Sequence, residues 1–191
     1  MKVVIFGATG GIGGAVSKLF KTDEVVKLGS RGLDFRSTVF KHNFEKSKYS
    51  KLVDDADLIL NCAGVLGDPQ DDYEAVFDVN FNSNVILFKH FMTHPPKNLK
   101  KFVMIGSSAY KNGRDDLMLY SASKAALFNL FQGAEKFFKN SKLVVGLINP
   151  GPVKTKMTAG LKGKFMTREE CAKKIFDFTN HLKKSGYVDL K

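Results

Sequence analysis

The chain has 191 residues, 43% hydrophobic and 26% charged, enough for one domain with a sizeable core and unlike a disordered or collagen-like chain. Its apolar runs, such as 58–60 and 143–148, fall far short of the ~20 residues a bilayer-crossing helix needs, and glycine arrives at position 7, too early for a signal peptide. Thirty Lys and Arg against nineteen Asp and Glu give a net charge of +11, while Cys62 and Cys171 make neither a disulfide scaffold nor a metal-ligand spacing.

From the N-terminus onward, short β-rich apolar runs alternate with amphipathic helical stretches, the pattern of βαβ units around a parallel sheet. The first strand, 2–6, runs into Gly7-Ala8-Thr9-Gly10-Gly11-Ile12-Gly13-Gly14 and a helix over 12–21. Glycines there let the backbone turn tightly and approach a pyrophosphate at the helix N-terminal amides, so this unit reads as a dinucleotide cradle. A strand over 25–29 follows, then only residues 30–38 before an expected strand over 39–43, too few for a crossover helix. A loop or single turn is expected in its place. Next come a helix over 47–54, a strand over 57–61 and a long helix over 72–93 that Pro95-Pro96 stops. Strands over 101–107, 143–149 and 187–190 alternate with helices over 119–139 and 167–182, the last opened by Thr167 as N-cap with Glu169 and Glu170 in its first turn.

Within that frame sits Tyr120-Ser121-Ala122-Ser123-Lys124. On a helix, positions i and i+4 share a face, so the phenol and the ammonium point the same way. A nearby cation favours phenolate and lowers the tyrosine pKa toward a usable acid/base range. Thirteen residues earlier, Ser107 closes a strand whose C-terminal end is where parallel α/β sheets gather ligands, and its hydroxyl can donate to a substrate carbonyl.

Taken in register, the glycine motif, Asn61-Cys62-Ala63-Gly64, Asn80, Ser107, the Tyr120/Lys124 pair and Asn149-Pro150-Gly151-Pro152-Val153-Lys154-Thr155 resemble the short-chain dehydrogenase/reductase superfamily, from Lys2 to Leu190. That resemblance implies a doubly wound α/β Rossmann fold in one domain, residues 1–191, with a seven-stranded, mostly parallel sheet in order 3-2-1-4-5-6-7. It implies that Gly7, Thr9, Gly11, Ile12 and Gly13 hold the cofactor pyrophosphate turn, and that Asn61, Ala63 and Gly64 lie beside the adenosine ribose, with Cys62 where the family has a second Asn. Asn80 would hold the water of a proton relay, and Ser107 would orient the substrate carbonyl. Tyr120 would exchange the proton with the carbonyl or alcohol oxygen, and Lys124 would bind the nicotinamide ribose and depress the Tyr120 pKa. Pro150, Gly151, Val153 and Thr155 would line the nicotinamide end.

Cofactor choice turns on the end of the second strand, where an NAD site typically places an acid on the ribose 2′-hydroxyl. Here Ser30 stands in that place and Arg31 can grip a phosphate bidentately, favouring NADP(H); Asp34, three residues on, keeps NAD(H) open. Asn43 and Phe44 occupy the expected adenine-facing positions, where the family often has an acid. The four histidines, His42, His90, His94 and His181, show no paired carboxylate and no metal spacing, so no metal is expected. Cys171 reads as core packing.

The reading is a cytoplasmic NADP(H)-dependent oxidoreductase acting on a small carbonyl/alcohol substrate. The alternative is a non-catalytic NADP-sensing regulator on the same fold. The lysine excess reads as surface, with no nucleic-acid or membrane partner expected. The helix over 119–139 is apolar around most of its circumference, as a helix buried on two sides would be; the resemblance implies that such helices form a subunit interface, and so a homodimer or homotetramer. The short Gly- and Lys-rich stretch over 156–166 points to an open site.

Overall fold

The computed structural model describes residues 1–29, 35, 40, 43–67 and 73–190. Its centre is a parallel sheet of β1 (Lys2–Phe6), β2 (Glu24–Leu28), β3 (Leu58–Asn61), β4 (Lys100–Ile105), β5 (Leu143–Pro150) and β6 (Gly186–Leu190), in the order β2-β1-β3-β4-β5-β6. Every neighbouring pair is parallel, with β1 between β2 and β3. Strands covered on both faces read as unbroken apolar runs. β1 shows this directly: Val3, Val4, Ile5 and Phe6 are all fully buried, and successive side chains enter opposite layers.

Val4 and Phe6 join one layer, built on α2 (Lys48–Asp55), α4 (Ser83–Thr93) and α5 (Met118–Phe137) and dominated by Phe88, Phe91, Phe102 and Phe131. Val3 and Ile5 join the other, beneath α1 (Gly11–Ser17) and α6 (Arg168–His181), with Val16, Phe20, Cys171 and Ile175. Cys171 is wholly buried there, as its apolar neighbours led us to expect.

Among the described residues the sheet has six strands where seven were expected, and Phe40 and Asn43 of the expected strand over 39–43 are not part of it. Val39, Lys41 and His42 lie outside the described residues. Phe40 and Asn43 are in helical turns. Phe40 is fully buried and packs edge-on against Phe6, Phe35 and Phe44, with ring centroids 6.4, 4.7 and 5.0 Å away. Phe40, expected in a strand, therefore joins Phe35 and Phe44 in plugging the layer under β1.

The helix expected over 72–93 is α3 (Tyr73–Phe77) and α4 joined by a π-helical turn, Asp78–Asn82. Such a turn admits an extra residue and re-aims side chains, often at functional sites; here it carries Asn80. On α6 the expected cap is present as a reciprocal box: Thr167 Oγ1 accepts from Glu170 N at 3.1 Å, and Thr167 N donates to Glu170 Oε2 at 2.9 Å. The helix expected over 119–139 is α5, Met118–Phe137, and of its apolar residues Leu127 and Phe131 are buried while Phe137 is more than half exposed. Among the described residues, no helix is long and apolar enough to cross a membrane.

Candidate active site

From β1 the chain passes to β2 on one side of the sheet and then returns to β3 on the other, so the strand order reverses at the C-terminal ends of β1 and β3. In open α/β sheets that switch point is where ligands bind. At Gly7 φ is +73°, and a Cβ there would sit 2.6 Å from Ala63 N, so only glycine lets the two strand ends meet this closely. Gly11 faces Thr155, where a Cβ would stand 2.7 Å from the threonine Cγ2, and Gly13 packs its backbone on the Gly7 carbonyl. Thr9 lies against Gly29 at the end of β2. These approaches leave a shallow floor of small residues, a shape that accepts a dinucleotide backbone.

Beside this floor is a cavity of about 310 Å³, whose walls include Ile12, Ala63, Gly64, Ser107, Tyr120, Lys124, Pro150, Gly151, Val153 and Thr155. Ser107 leaves β4 as the N-cap of a short turn, its Oγ accepting from Ala109 N at 3.2 Å. Tyr120 and Lys124 rise from the same face of α5, as their spacing required. Lys124 is buried: its Nζ donates to the Ile105 carbonyl at 2.9 Å and lies 5.7 Å from the centre of the Tyr120 ring.

Burial pulls the Lys124 ammonium down to about 8, opposed by the neighbouring Cys62 thiol. Burial also pushes the Cys62 thiol up to about 12. The Tyr120 phenol is held above its ordinary value by burial, and its hydrogen bond with Ser107 offsets this only in part. The expected lowering of Tyr120 by Lys124 is therefore corrected: desolvation outweighs any pull of the ammonium, which binds a carbonyl beneath the ring.

Asn80 takes part through its whole carboxamide. Nδ2 donates to Val65 O at 2.9 Å and to Ser123 Oγ at 3.0 Å, and Oδ1 accepts from Val65 N at 2.9 Å. Both amide protons are engaged, so Asn80 ties the segment after β3 to α5. Asn61 is likewise turned inward: Nδ2 donates to Asn84 Oδ1 at 2.8 Å and Ser83 Oγ at 3.1 Å, while Oδ1 accepts from Ala63 N at 3.2 Å. It shapes the turn after β3 through the backbone.

Phe44, expected against an adenine, is 5% exposed and packs in the core against Phe40 and His90, the apolar ring having sunk inward; Asn43 remains exposed. Ser30, Arg31 and Asp34 lie outside the described residues. The segment after Thr155 is tied at its base by Lys154 N to Met166 O and Met166 N to Pro152 O, each 2.9 Å. Its Met157, Thr158 and Leu161 form part of the cavity wall.

Two features escaped sequence reasoning. Asp189 on β6 accepts from Lys111 Nζ at 2.6 Å, Asn149 Nδ2 at 3.1 Å and Tyr110 Oη at 3.4 Å, bracing the turn that carries Ser107. Burial pushes its carboxyl up, but the bonds from Lys111 and Asn149 hold it below the usual carboxylate range. The second concerns His90, expected to have no paired carboxylate. Its Nδ1 lies 2.8 Å from Glu45 Oε2 and its Nε2 2.7 Å from Asp54 Oδ1. The His90–His94 spacing was visible in the chain; the acids that meet it come from 36 and 45 residues away.

A family model described as short chain dehydrogenase matches residues 34–164. A 3-oxoacyl-[acyl-carrier-protein] reductase of Rickettsia felis is 28% identical over 194 aligned positions, covering 90% of this chain and 80% of that protein. A short chain dehydrogenase from Burkholderia cenocepacia, solved in complex with NADP, superposes with a TM-score of 0.80 at 16% identity, covering 98% of this chain and 87% of that one. A 4-hydroxyisoleucine dehydrogenase complexed with NADH superposes with a TM-score of 0.77 at 21% identity, covering 99% and 97%.

Proposed function

The chain belongs to the short-chain dehydrogenase family of oxidoreductases, and on that premise we propose that it interconverts a small carbonyl compound and its alcohol with NADP(H), using Tyr120 as the proton donor and acceptor. The observation that carries the reading is the convergence of Ser107, Tyr120 and Lys124 on one cleft beside the glycine floor. A sensing protein needs the floor but has no use for a buried ammonium beneath a phenol bonded to a serine, so catalysis is favoured over the regulatory alternative.

The floor fits a dinucleotide because the close approaches at Gly7, Gly11 and Gly13 leave no side chain in its path. Gly7, Thr9, Gly11, Ile12 and Gly13 would hold the pyrophosphate, Ala63 and Gly64 the ribose side, and Pro150, Gly151, Val153 and Thr155 the nicotinamide end. Arg31 would bind a 2′-phosphate; it supports NADP(H) through its position after β2 and the lack of an acid at Ser30. The cofactor supplies the hydride, and the protein supplies orientation and the proton path.

Ser107 would hold the carbonyl oxygen by donating its hydroxyl proton, the placement that stabilises developing negative charge. Tyr120 Oη would give its proton to the same oxygen during reduction and take it back during oxidation. Lys124 would orient the cofactor ribose and steady the phenolate left by proton transfer. Asn80 is a positioning residue, holding Val65 and Ser123 on either side of the cleft.

Leu66, Leu117, Met157 and Leu161 line the cavity together with the polar Asn112, Arg114 and Thr158, and the apolar part favours a substrate with a hydrocarbon portion beside its carbonyl. A 3-oxoacyl thioester is therefore a suitable first member of an assay panel, followed by simple ketones and aldehydes. NADPH oxidation followed at its absorbance maximum should show turnover with at least one of them. NADPH binding without turnover on the whole panel would return the reading to a sensor.

A further inference from the structure

We propose that Glu45, His90 and His94 form a binding site for a divalent first-row transition metal ion of the zinc class, at the edge of the sheet opposite the catalytic cleft. His90 and His94 stand one helical turn apart at the C-terminal end of α4, the i, i+4 spacing that lets two imidazoles share one ion. Their rings are stacked with centroids 4.9 Å apart and 20° between planes. Glu45 reaches both from the turn before α2: its Oε2 is 2.8 Å from His90 Nδ1 and 3.3 Å from His94 Nδ1.

The candidate ligand atoms of these three residues lie within 4.8 Å of one another. Ligands at zinc–nitrogen and zinc–oxygen distances of about 2.1 Å in a tetrahedron stand about 3.4 Å apart, so rotation of two partly exposed side chains suffices to close the site. Thr93 Oγ1 lies 3.0 Å from His94 Nδ1, but it also has the Lys89 and His90 carbonyls, both at 3.1 Å, as acceptors.

The outer contacts argue for more than a chance cluster. His90 is almost fully buried, and its Nε2 is held by Asp54 Oδ1 at 2.7 Å. A carboxylate on the far nitrogen of a histidine is the support that fixes ring orientation and raises ligand basicity in zinc sites. It assigns the Nε2 proton to Asp54 and points Nδ1 at a second carboxylate. His94 and Asp54 also border an open cavity of about 620 Å³ between α2 and the α4–β4 connection, which gives an ion a way in. Three protein ligands leave a fourth position for water. Imidazole and carboxylate donors suit zinc, nickel and copper over calcium or magnesium.

The site ties the turn before α2 to the end of α4, on residues that take no part in the proposed chemistry, so its fate is independent of the oxidoreductase reading. The test is titration of tag-free, full-length protein with zinc chloride by calorimetry, with cobalt(II) as a spectroscopic probe of the same site. One equivalent of zinc should bind, and bound cobalt should show visible absorption stronger than that of the aquo ion. His94→Ala and Glu45→Gln, both at exposed positions, should each weaken binding at least tenfold, and Asp54→Asn should weaken it about 10–100-fold. His181→Ala, at an exposed histidine outside the cluster, should leave it unchanged. Binding of zinc no tighter to wild type than to His94→Ala would overturn the proposal, as would a loss equally produced by His181→Ala.

Discussion

Replacing Lys124 by Met should flatten the pH dependence of folding by an amount the structure sets. In the folded protein burial brings the ammonium down from 10.5 to about 8, whereas in the unfolded chain it keeps its ordinary value. Below about pH 8 both states hold the proton, and the group contributes no pH dependence. Between about 8 and 10.5 the unfolded chain keeps a proton that the folded protein has released, so raising the pH favours the folded state. Each pH unit across that gap is worth ~1.4 kcal/mol, and integration from pH 7 to pH 10 gives about 2.5 kcal/mol of added wild-type stability. The variant lacks this gain. Packing changes and the abandoned Ile105 carbonyl shift the variant by an amount that does not vary with pH, so the difference between the two curves isolates the ammonium. Urea unfolding of both proteins at half-unit steps from pH 7 to pH 10 measures it. A constant difference, or one that narrows in the opposite sense, would show that Lys124 is solvated and refute the buried-ammonium account.

Three further outcomes are expected. Gly7→Ala must place a side chain at φ +73° and 2.6 Å from Ala63 N, so it should cost at least about 2 kcal/mol in urea unfolding and raise the NADPH dissociation constant. Thr167→Ala breaks the capping box on α6 and should cost about 1 kcal/mol, read as a lower midpoint with an unchanged slope. Arg31→Glu should weaken NADPH binding at least tenfold by fluorescence titration while sparing NADH, and equal losses for the two would count against a 2′-phosphate contact.

What the chain disclosed follows from how local each signal is. Val3 to Phe6 are buried on both faces, so their run announces a central strand without help from distant residues. Gly7 and Gly13 mark a turn because the close approach they permit is visible as missing side chains. Tyr120 and Lys124 share a face because helix geometry requires it. The failures were non-local. Phe40 has strand-like character, and only the tertiary core shows that it serves as a plug; burial in the same core removes Phe44 from the adenine side.

Electrostatic direction was the other gap. The Tyr120–Lys124 spacing is legible, but the sign of the tyrosine shift depends on how much of Tyr120 is buried, which its hydrogen bond with Ser107 offsets only in part. Asn61 and Asn80 stood out as motif residues, yet their partners Ser83, Asn84, Val65 and Ser123 come from separate elements. Asp189 and the Glu45–His90–Asp54 contacts join residues tens of positions apart, and neither pattern is periodic.

The central claim is that Tyr120 moves the proton in a cleft that binds NADPH without it. Single-turnover kinetics of Tyr120→Phe, with NADPH and the best carbonyl substrate found for the wild type, test it most directly. The account predicts NADPH affinity within about twofold of wild type and hydride transfer slowed at least 100-fold, within the ~10²–10⁴ range of general acid catalysis. Hydride transfer at the wild-type rate in that variant would contradict it.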